Sequence, residues 1–504
     1  MSLDNKCIIP SIFLSYIVVF FAAGALYVVT CAPGALWQDS GMFQYRVWHN
    51  DIEGELGLAL AHPLYHIIGV VFKHIPIGEF AYRVNLISAL SAAAAVANLF
   101  LLLRLWLGRN LPAVVAAITL GLSWTHWQHA CIAEVYTLHS ALFLAEVVVL
   151  LQYCRGGSVG YLYVLGLLNG LAVANHLWAS LAFVCYVVFV GGLLLRKKIR
   201  FGHVGIIAAF WIVGALPYEY LIVRDIVCNG DLAGTLASAV FGRGYQHQVL
   251  NTAITLKIVK ENMMFLGLNF PTPNVLLFFG GLYALYKTAP SRAFAHVLLG
   301  LLVLFFVFAF RYTVPDRYAF FMPFYCMASV FIGLGAHFLM TKRQSRFFVV
   351  LMLIFALLPV GVYAAAPSLA KKLQVNIGAK RKIPYRDEYQ WFLQPWKRGY
   401  DGPGQFAREA FAVMENDAII YADNTTVYAL LYAQEVQKQG TTIGIVSDLV
   451  GSKGAPRFDE TTMTDLLSDR GVYVVSPVAG YCPSFLLEQY EFEPAGSVWR
   501  VVQK

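Results

Sequence analysis

Residues 7–30 read CIIPSIFLSYIVVFFAAGALYVVT, 24 residues without a charged side chain. The apolar region of a secretory leader is roughly 7–15 residues long, whereas a bilayer core of about 30 Å takes about 20 residues of helix to cross. The run therefore reads as a first membrane-spanning helix. Ten further apolar runs bounded by charges follow, at roughly 81–103, 111–125, 137–153, 160–174, 177–195, 203–223, 272–286, 294–310, 319–340 and 347–366. The stretch 160–195 is too long for one crossing and divides at Asn175-His176. The fold class this predicts is a polytopic α-helical membrane protein with about eleven transmembrane helices.

Composition agrees and marks a boundary. The chain of 504 residues is 59% hydrophobic and 13% charged, with a mean hydropathy of +0.62, against about 25% charged residues in ordinary soluble domains. Of 29 acidic residues, 16 follow Pro367, together with 15 bases. Residues 1–366 thus form the membrane part, with a long first outer loop at 31–80, and 367–504 read as a water-soluble domain. There, β-rich runs (418–421, 442–446, 472–475) alternate with helical patterns at 404–414 and 425–438, which predicts a small α/β sheet domain. No GxGxxG or P-loop occurs, and the net charge of +8 forms no basic stripe with interleaved aromatics, so nothing points to a nucleotide or a nucleic acid. The eight cysteines show no CxxC spacing and read as small buried hydrophobes.

Orientation follows from charge. With a cytoplasmic N-terminus, the inner segments hold Lys6, Arg104, Arg109, Arg155, Arg196, Lys197, Lys198, Arg200, Lys287, Arg292, Lys342, Arg343 and Arg346 against the single acid Asp4. This satisfies the positive-inside rule. An odd number of spans then puts the C-terminal domain on the outer, extracytoplasmic face. Short loops and a compact N-terminus favour a bacterial inner membrane over the endoplasmic reticulum.

The outer loops gather the ionisable groups that need explaining. Asp39, in Trp37-Gln38-Asp39-Ser40-Gly41, directly follows the first span. Asp-Ser-Gly is good helix-capping chemistry; the same carboxylate at the bilayer edge is placed to act as a general base on a hydroxyl while a lipid-borne leaving group approaches. Glu134 borders the fourth span and needs a partner or a metal there. His126, His129, His139 and His176 have metal-ligand chemistry without a matched spacing, so the metal stays open. Arg224, Arg243, Arg311 and Arg317 run against the positive-inside trend; a guanidinium fork near hydrocarbon suits a phosphate, and the plainer reading pairs Arg224 with Asp225 or Glu219 and Arg317 with Asp316. Ile67–Phe72, too short to span, reads as a segment lying along the membrane surface.

Trp37–Gly41, Ala61–Tyr65, Ala133–Leu138, Asn175-His176, Val314–Pro323, Pro395–Gly402 and Ala422–Thr426, in this order and spacing, resemble a bacterial and eukaryotic family of multi-pass membrane proteins. That family includes the protein O-mannosyltransferases acting on plexin-type domains and belongs to the GT-C class of glycosyltransferases, which use polyprenyl-phosphate sugars. The resemblance implies a catalytic carboxylate at Asp39 and a second acidic position at Glu134. His62 and His176, like the four arginines, are read as substrate-binding residues. The paired acids common in GT-C first loops are absent, since Gln38 and Ser40 flank Asp39. The expected donor is a polyprenyl-phosphate sugar (no other cofactor is certain, a divalent metal is left open), and the expected partners are a protein or glycolipid acceptor and membrane lipids. The rival reading, a transporter or lipid flippase, needs charges near the bilayer midplane, where the sequence offers only Glu146.

Overall fold

The computed structural model describes residues 3–314, 316–342, 345–378 and 380–504, with side chains from Ile12 onward. Lys6 and Arg343, which entered the charge argument, lie outside the described side chains. A helix stands over every one of the eleven apolar runs. Among the described residues six are long and apolar enough to cross a membrane: Ile12–Thr30, Phe80–Leu107, Tyr136–Gly156, Phe201–Asn229, Arg292–Arg311 and Arg317–Lys342. Two bent pairs, Leu256–Asn269 with Pro273–Thr288 (109°) and Arg346–Leu357 with Pro359–Lys372 (40°), bring the number to eight if each counts once. Asn110–Gly121, Gly160–Asn175 and Ala179–Leu195 are shorter. The run 111–125 breaks after Gly121 because the Ser123 hydroxyl donates to Leu120 O at 2.7 Å, a local bond that competes with continuing the helix; Trp124–Ala130 then starts afresh.

Small residues let these helices approach closely. A methyl group added at Gly170 would collide with the Trp211 carbonyl, and one at Gly214 with the Leu167 carbonyl, so the 160–175 and 201–229 helices touch backbone to backbone, a packing mode suited to apolar surroundings.

Cross-links sort the connections onto two ends of the bundle. At one end, Ala32 N donates to Cys131 O and Lys397 N to Thr30 O, Asn175 Nδ2 to Val135 O, and Thr125 N to Asn269 Oδ1. At the other, Arg155 Nη1 donates to Leu105 O and Trp106 Nε1 to Thr288 O. The first end carries the 31–80 connection, which folds into the helices Gln38–His49 and Pro63–Phe72. In the latter, Tyr65, His66 and Gly69 are buried while Ile67 and Val71 stay exposed, a one-sided pattern.

The same end carries a five-stranded sheet, ordered β2-β1-β3-β5-β4, from β1 (Ile419–Tyr421), β2 (Gly444–Val446), β3 (Val472–Val474), β4 (Tyr490–Ala495) and β5 (Val498–Gln503). β2, β1 and β3 are parallel, and β5 and β4 continue antiparallel. β1 and β3 are buried along their whole length, as parallel strands covered on both faces must be. Helix Val427–Glu435, between β1 and β2, packs on Gln38–His49: Trp37, Met42, Phe43, Phe406, Tyr428 and Leu431 share one apolar cluster. Trp37 Nε1 donates to Tyr400 Oη at 2.6 Å and Gln38 N to Thr425 O at 3.1 Å. The sheet region and the first long connection therefore share a core.

Candidate functional site

Asp39 occupies the first turn of Gln38–His49 and does not cap it; the N-cap is Trp37, without a side-chain bond. Gly41 is required here, since a Cβ would meet Leu36 O at 2.5 Å and Tyr428 Cβ at 3.1 Å. The turn is thereby pressed against the Val427–Glu435 helix, and Asp39 is directed into the junction. Its side chain is accessible, yet it makes no hydrogen bond or ion pair among the described residues. Surrounding protein and the charge of Asp316 push its carboxyl above the usual carboxylate range.

Glu134 sits in the bend between Trp124–Ala130 and Tyr136–Gly156 and is 8% exposed. Ser88 Oγ clamps its backbone, accepting from Glu134 N and donating to Glu134 O, both at 2.9 Å. Ser40 Oγ donates to Oε1 at 3.2 Å. Burial, then Asp39, then Asp316 raise its carboxyl well above the ordinary value. Asp316, immediately before Arg317–Phe321, is likewise raised by burial. Its neighbour Arg317 does not pair with it: that guanidinium turns to Glu261 and to Ile258 O. Three carboxylates are thus coupled, and no ion pair joins any of them to a cation among the described residues. Tyr245, Tyr312 and Tyr428 stand in the same field, each hydroxyl raised first by burial and then, among other groups, by Asp39 or Asp316. Such a cluster holds protons that isolated acids would release near neutrality.

His62 adopts φ 51° before Pro63, and its Nδ1 lies 2.8 Å from Asn175 O. That fixes the tautomer with Nδ1–H donating and Nε2 free to accept. Its ring stacks on His176 at 4.9 Å, and His176 Nδ1 accepts from Trp178 N at 3.2 Å. Burial lowers the His62 imidazole to about 4 and His176 further, so the pair is neutral. Tyr136, next but one to Glu134 in sequence, contacts His176 at 5.8 Å and joins the imidazoles to the carboxylates. Among the described residues no three His, Cys, Asp or Glu side chains gather with metal-ligand geometry; His129 Nδ1 bonds Thr125 O and His126 Nδ1 meets Tyr27 Oη.

The four arginines do not converge. Arg224 pairs with Glu53 rather than Asp225 or Glu219. Arg311 Nη1 donates to Val249 O and Asn251 O at 2.5 and 2.8 Å, and Arg317 is held by Glu261. Arg243 alone is exposed without a side-chain partner among the described residues. It lines a hollow of about 500 Å³ with Glu53, Asp225, Asp231 and His247. Glu146, the acid inside a span, accepts from Asn169 Nδ2 and Tyr186 Oη at 3.3 and 2.9 Å and is enclosed in that network.

Sequence reasoning singled out Asp39 and Glu134 and passed over Asp316, which the adjacent Arg317 disguised as a counter-ion. The available signal was position: an acid at the same end of the bundle, just before a span.

The fold has solved counterparts. Over 97% of this chain and 98% of the other, the structure matches that of ArnT from Cupriavidus metallidurans bound to undecaprenyl phosphate, with a TM-score of 0.64 at 13% identity; against the apo state of that protein the TM-score is 0.62. At that identity the match is one of fold. Residues 57–198 match the family described as Protein O-mannosyl-transferase TMEM260 N-terminal domain. Over 217 residues the chain is 26% identical to Protein O-mannosyl-transferase TMEM260 of Mus musculus. That alignment covers 42% of this chain and 30% of the relative. The comparisons thus meet the resemblance read from the sequence motifs.

Proposed function

We propose that this protein is an inverting glycosyltransferase that moves a hexose, mannose in the first instance, from a polyprenyl-phosphate sugar to a Ser or Thr hydroxyl of a protein. The reaction takes place where the sheet meets the helix ends. The observation that carries this reading is Asp39, an accessible carboxylate without a partner among the described residues, coupled to Asp316. Asp39 takes the proton of the acceptor hydroxyl as its oxygen bonds to the sugar's anomeric carbon and the lipid phosphate departs with the bonding electrons. A phosphate leaving group needs no proton, so one ionised base suffices. Its raised proton affinity makes it a better base near neutral pH than an ordinary aspartate. Glu134, clamped by Ser88 and bonded to Ser40, orients the Asp39 turn, and the neutral His62–His176 pair supports the polar wall behind Tyr136.

In this reading the helices make eleven crossings, with the three shorter ones seated among longer neighbours. The base-rich end with Arg104, Arg109, Arg155 and Arg196–Lys198 faces the cytoplasm, and 367–504 stands outside to receive the acceptor. The relatives support the chemistry: one is a protein O-mannosyl-transferase, and the structural match holds undecaprenyl phosphate. The enclosed Glu146 network weighs against a midplane transport site. The test is transfer of radiolabelled mannose from polyprenyl-phosphate mannose to an acceptor peptide by the purified protein. Transfer that is absent for every such donor, or unaffected by Asp39→Asn, overturns the reading.

A further inference from the structure

A second hollow, of about 660 Å³, lies between residues 371 and 389 and is lined by Lys371, Lys380, Arg381, Lys382 and Arg386 together with Asp387 and Glu388. Its acids are already engaged. Lys371 Nζ meets Asp387 at 3.2 Å, and Arg386 forks onto both oxygens of Glu388 at 2.8 and 2.9 Å. Behind the wall, Arg381 Nη2 bonds both oxygens of Asp423 at 2.6 Å. Lys380 and Lys382, exposed on the rim, are left without counter-ions among the described residues.

The buried part of the wall is unsatisfied. The Arg381 side chain is 4% exposed and is fixed under Tyr481, 4.3 Å from the ring centroid. Its Nε and Nη1 find no acceptor, and neither does Nη1 of Arg386. Buried N–H groups left unpaired are costly and uncommon. The two arginines that carry these donors line one hollow beside two uncompensated ammonium groups, a set that matches an anion with several oxygens. The surroundings define what carries it. The hollow opens at the end of the Arg346–Leu357 and Pro359–Lys372 pair, apolar enough to cross a membrane, and Leu369, Leu373 and Val375 there are 56%, 64% and 44% exposed. An apolar rim around a cationic hollow suits a headgroup whose tails stay in the bilayer.

We propose that this hollow binds the phosphate group of a membrane lipid. The segment that follows it runs close to Asp316, since Phe392 O accepts from Trp124 Nε1 at 2.8 Å and the Phe392 ring lies 5.8 Å from that of Tyr318, two residues after Asp316. Two lipids share the chemistry: a polyprenyl phosphate, as the released carrier, or an anionic phospholipid of the bilayer. Only the first assignment rests on the transferase reading.

Native mass spectrometry of the full chain decides, with undecaprenyl phosphate, phosphatidylglycerol, inorganic phosphate and diacylglycerol as separate probes. A phosphate-bearing lipid should bind while diacylglycerol does not. Arg386→Gln and the double variant Lys380→Ala/Lys382→Ala should each weaken that binding by about tenfold. Preference for undecaprenyl phosphate identifies a carrier site, and preference for phosphatidylglycerol a site for a resident bilayer lipid. Binding of inorganic phosphate alone, equal retention of diacylglycerol, or variants that bind like the parent overturn the proposal. Should Arg386→Gln fail to fold, the exposed lysine pair still answers the question. Asp39→Asn should keep the lipid binding, which separates failure here from failure of the transferase reading.

Discussion

Glu146 and Asp39 are both acids in apolar surroundings, and the protein treats them in opposite ways. Glu146 is sealed between helices and accepts from Asn169 and Tyr186, with Trp211 in turn bonded to Asn169. Asp39 is accessible, has no hydrogen-bond partner among the described residues and faces further acids. A buried polar group with its partners in place stabilises a unique packing; an accessible one held beside like charges raises the energy of the folded state. The difference teaches where chemistry belongs: a fold retains an unsatisfied carboxylate only where something other than folding uses it.

The strongest way to break this comparison is Asp39→Asn. If Asp39 is the base, transfer in single turnover falls by roughly 10²–10⁴-fold, with elution and thermal unfolding intact. The sign of the stability change is also set. A carboxyl whose folded-state pKa lies above its unfolded value contributes a destabilisation that grows as pH rises from the unfolded to the folded pKa. The variant should therefore unfold at a temperature equal to or above the parent's at pH 8, with the gain vanishing below pH 4. Near-normal turnover, or a loss of stability at pH 8, would place Asp39 among structural residues.

Glu146→Leu tests the other half. Removing the acceptor strands Tyr186 Oη and leaves Asn169 Nδ2 with its bond to Ala179 O, so unfolding stability should fall by about 1–3 kcal/mol. The rate per folded molecule should stay within about twofold of the parent. A large drop in turnover at unchanged stability would make Glu146 a functional acid and break the contrast with Asp39. Between these extremes lies Asp316→Asn. Deleting that negative charge lowers the proton affinity of Asp39, so the acid limb of the rate profile should move to lower pH by roughly half a unit to one unit. An unmoved limb means that the two carboxylates do not communicate.

The membrane helices were legible because apolar length is a one-dimensional signal. The run at 7–30 and the division of 160–195 at Asn175-His176 coincide with helix ends, at Thr30 and Asn175. Leu256–Asn269 was not legible: Lys257, Lys260 and Glu261 interrupt its apolar pattern, and its 109° break from the next helix leaves no compositional trace. In the sheet, Ile419–Tyr421 and Val472–Val474 announced themselves as buried β-branched runs. The β4–β5 hairpin did not, because β4 alternates exposed Glu491 and Glu493 and contains Pro494. Its turn relies on Gly496 at φ 62°, a conformation that glycine adopts freely. The site was half legible. Asp39 and Glu134 stand out in sequence as acids beside spans, but partner choice is three-dimensional: neither Arg224–Glu53 nor Arg317–Glu261 can be read from adjacency.

That last point yields the smallest prediction and the finest test. Of the four arginines expected to face a phosphate, three already donate to acceptors within the protein, and neutralising them should disturb packing rather than donor affinity. Arg243 is free, but Glu53, Asp225 and Asp231 line the same hollow and offset part of its charge. An exposed guanidinium in such company contributes modestly, so Arg243→Gln should raise the donor KM about two- to fivefold and leave kcat unchanged. The effect should shrink as ionic strength rises, because screening acts on accessible charges first. Arg224→Gln, whose partner is Glu53, should leave the donor KM unmoved under the same conditions. If instead Arg224→Gln raises KM and Arg243→Gln does not, the Arg224–Glu53 pair opens when donor arrives, and accessibility in the free protein is the wrong guide to its phosphate ligands.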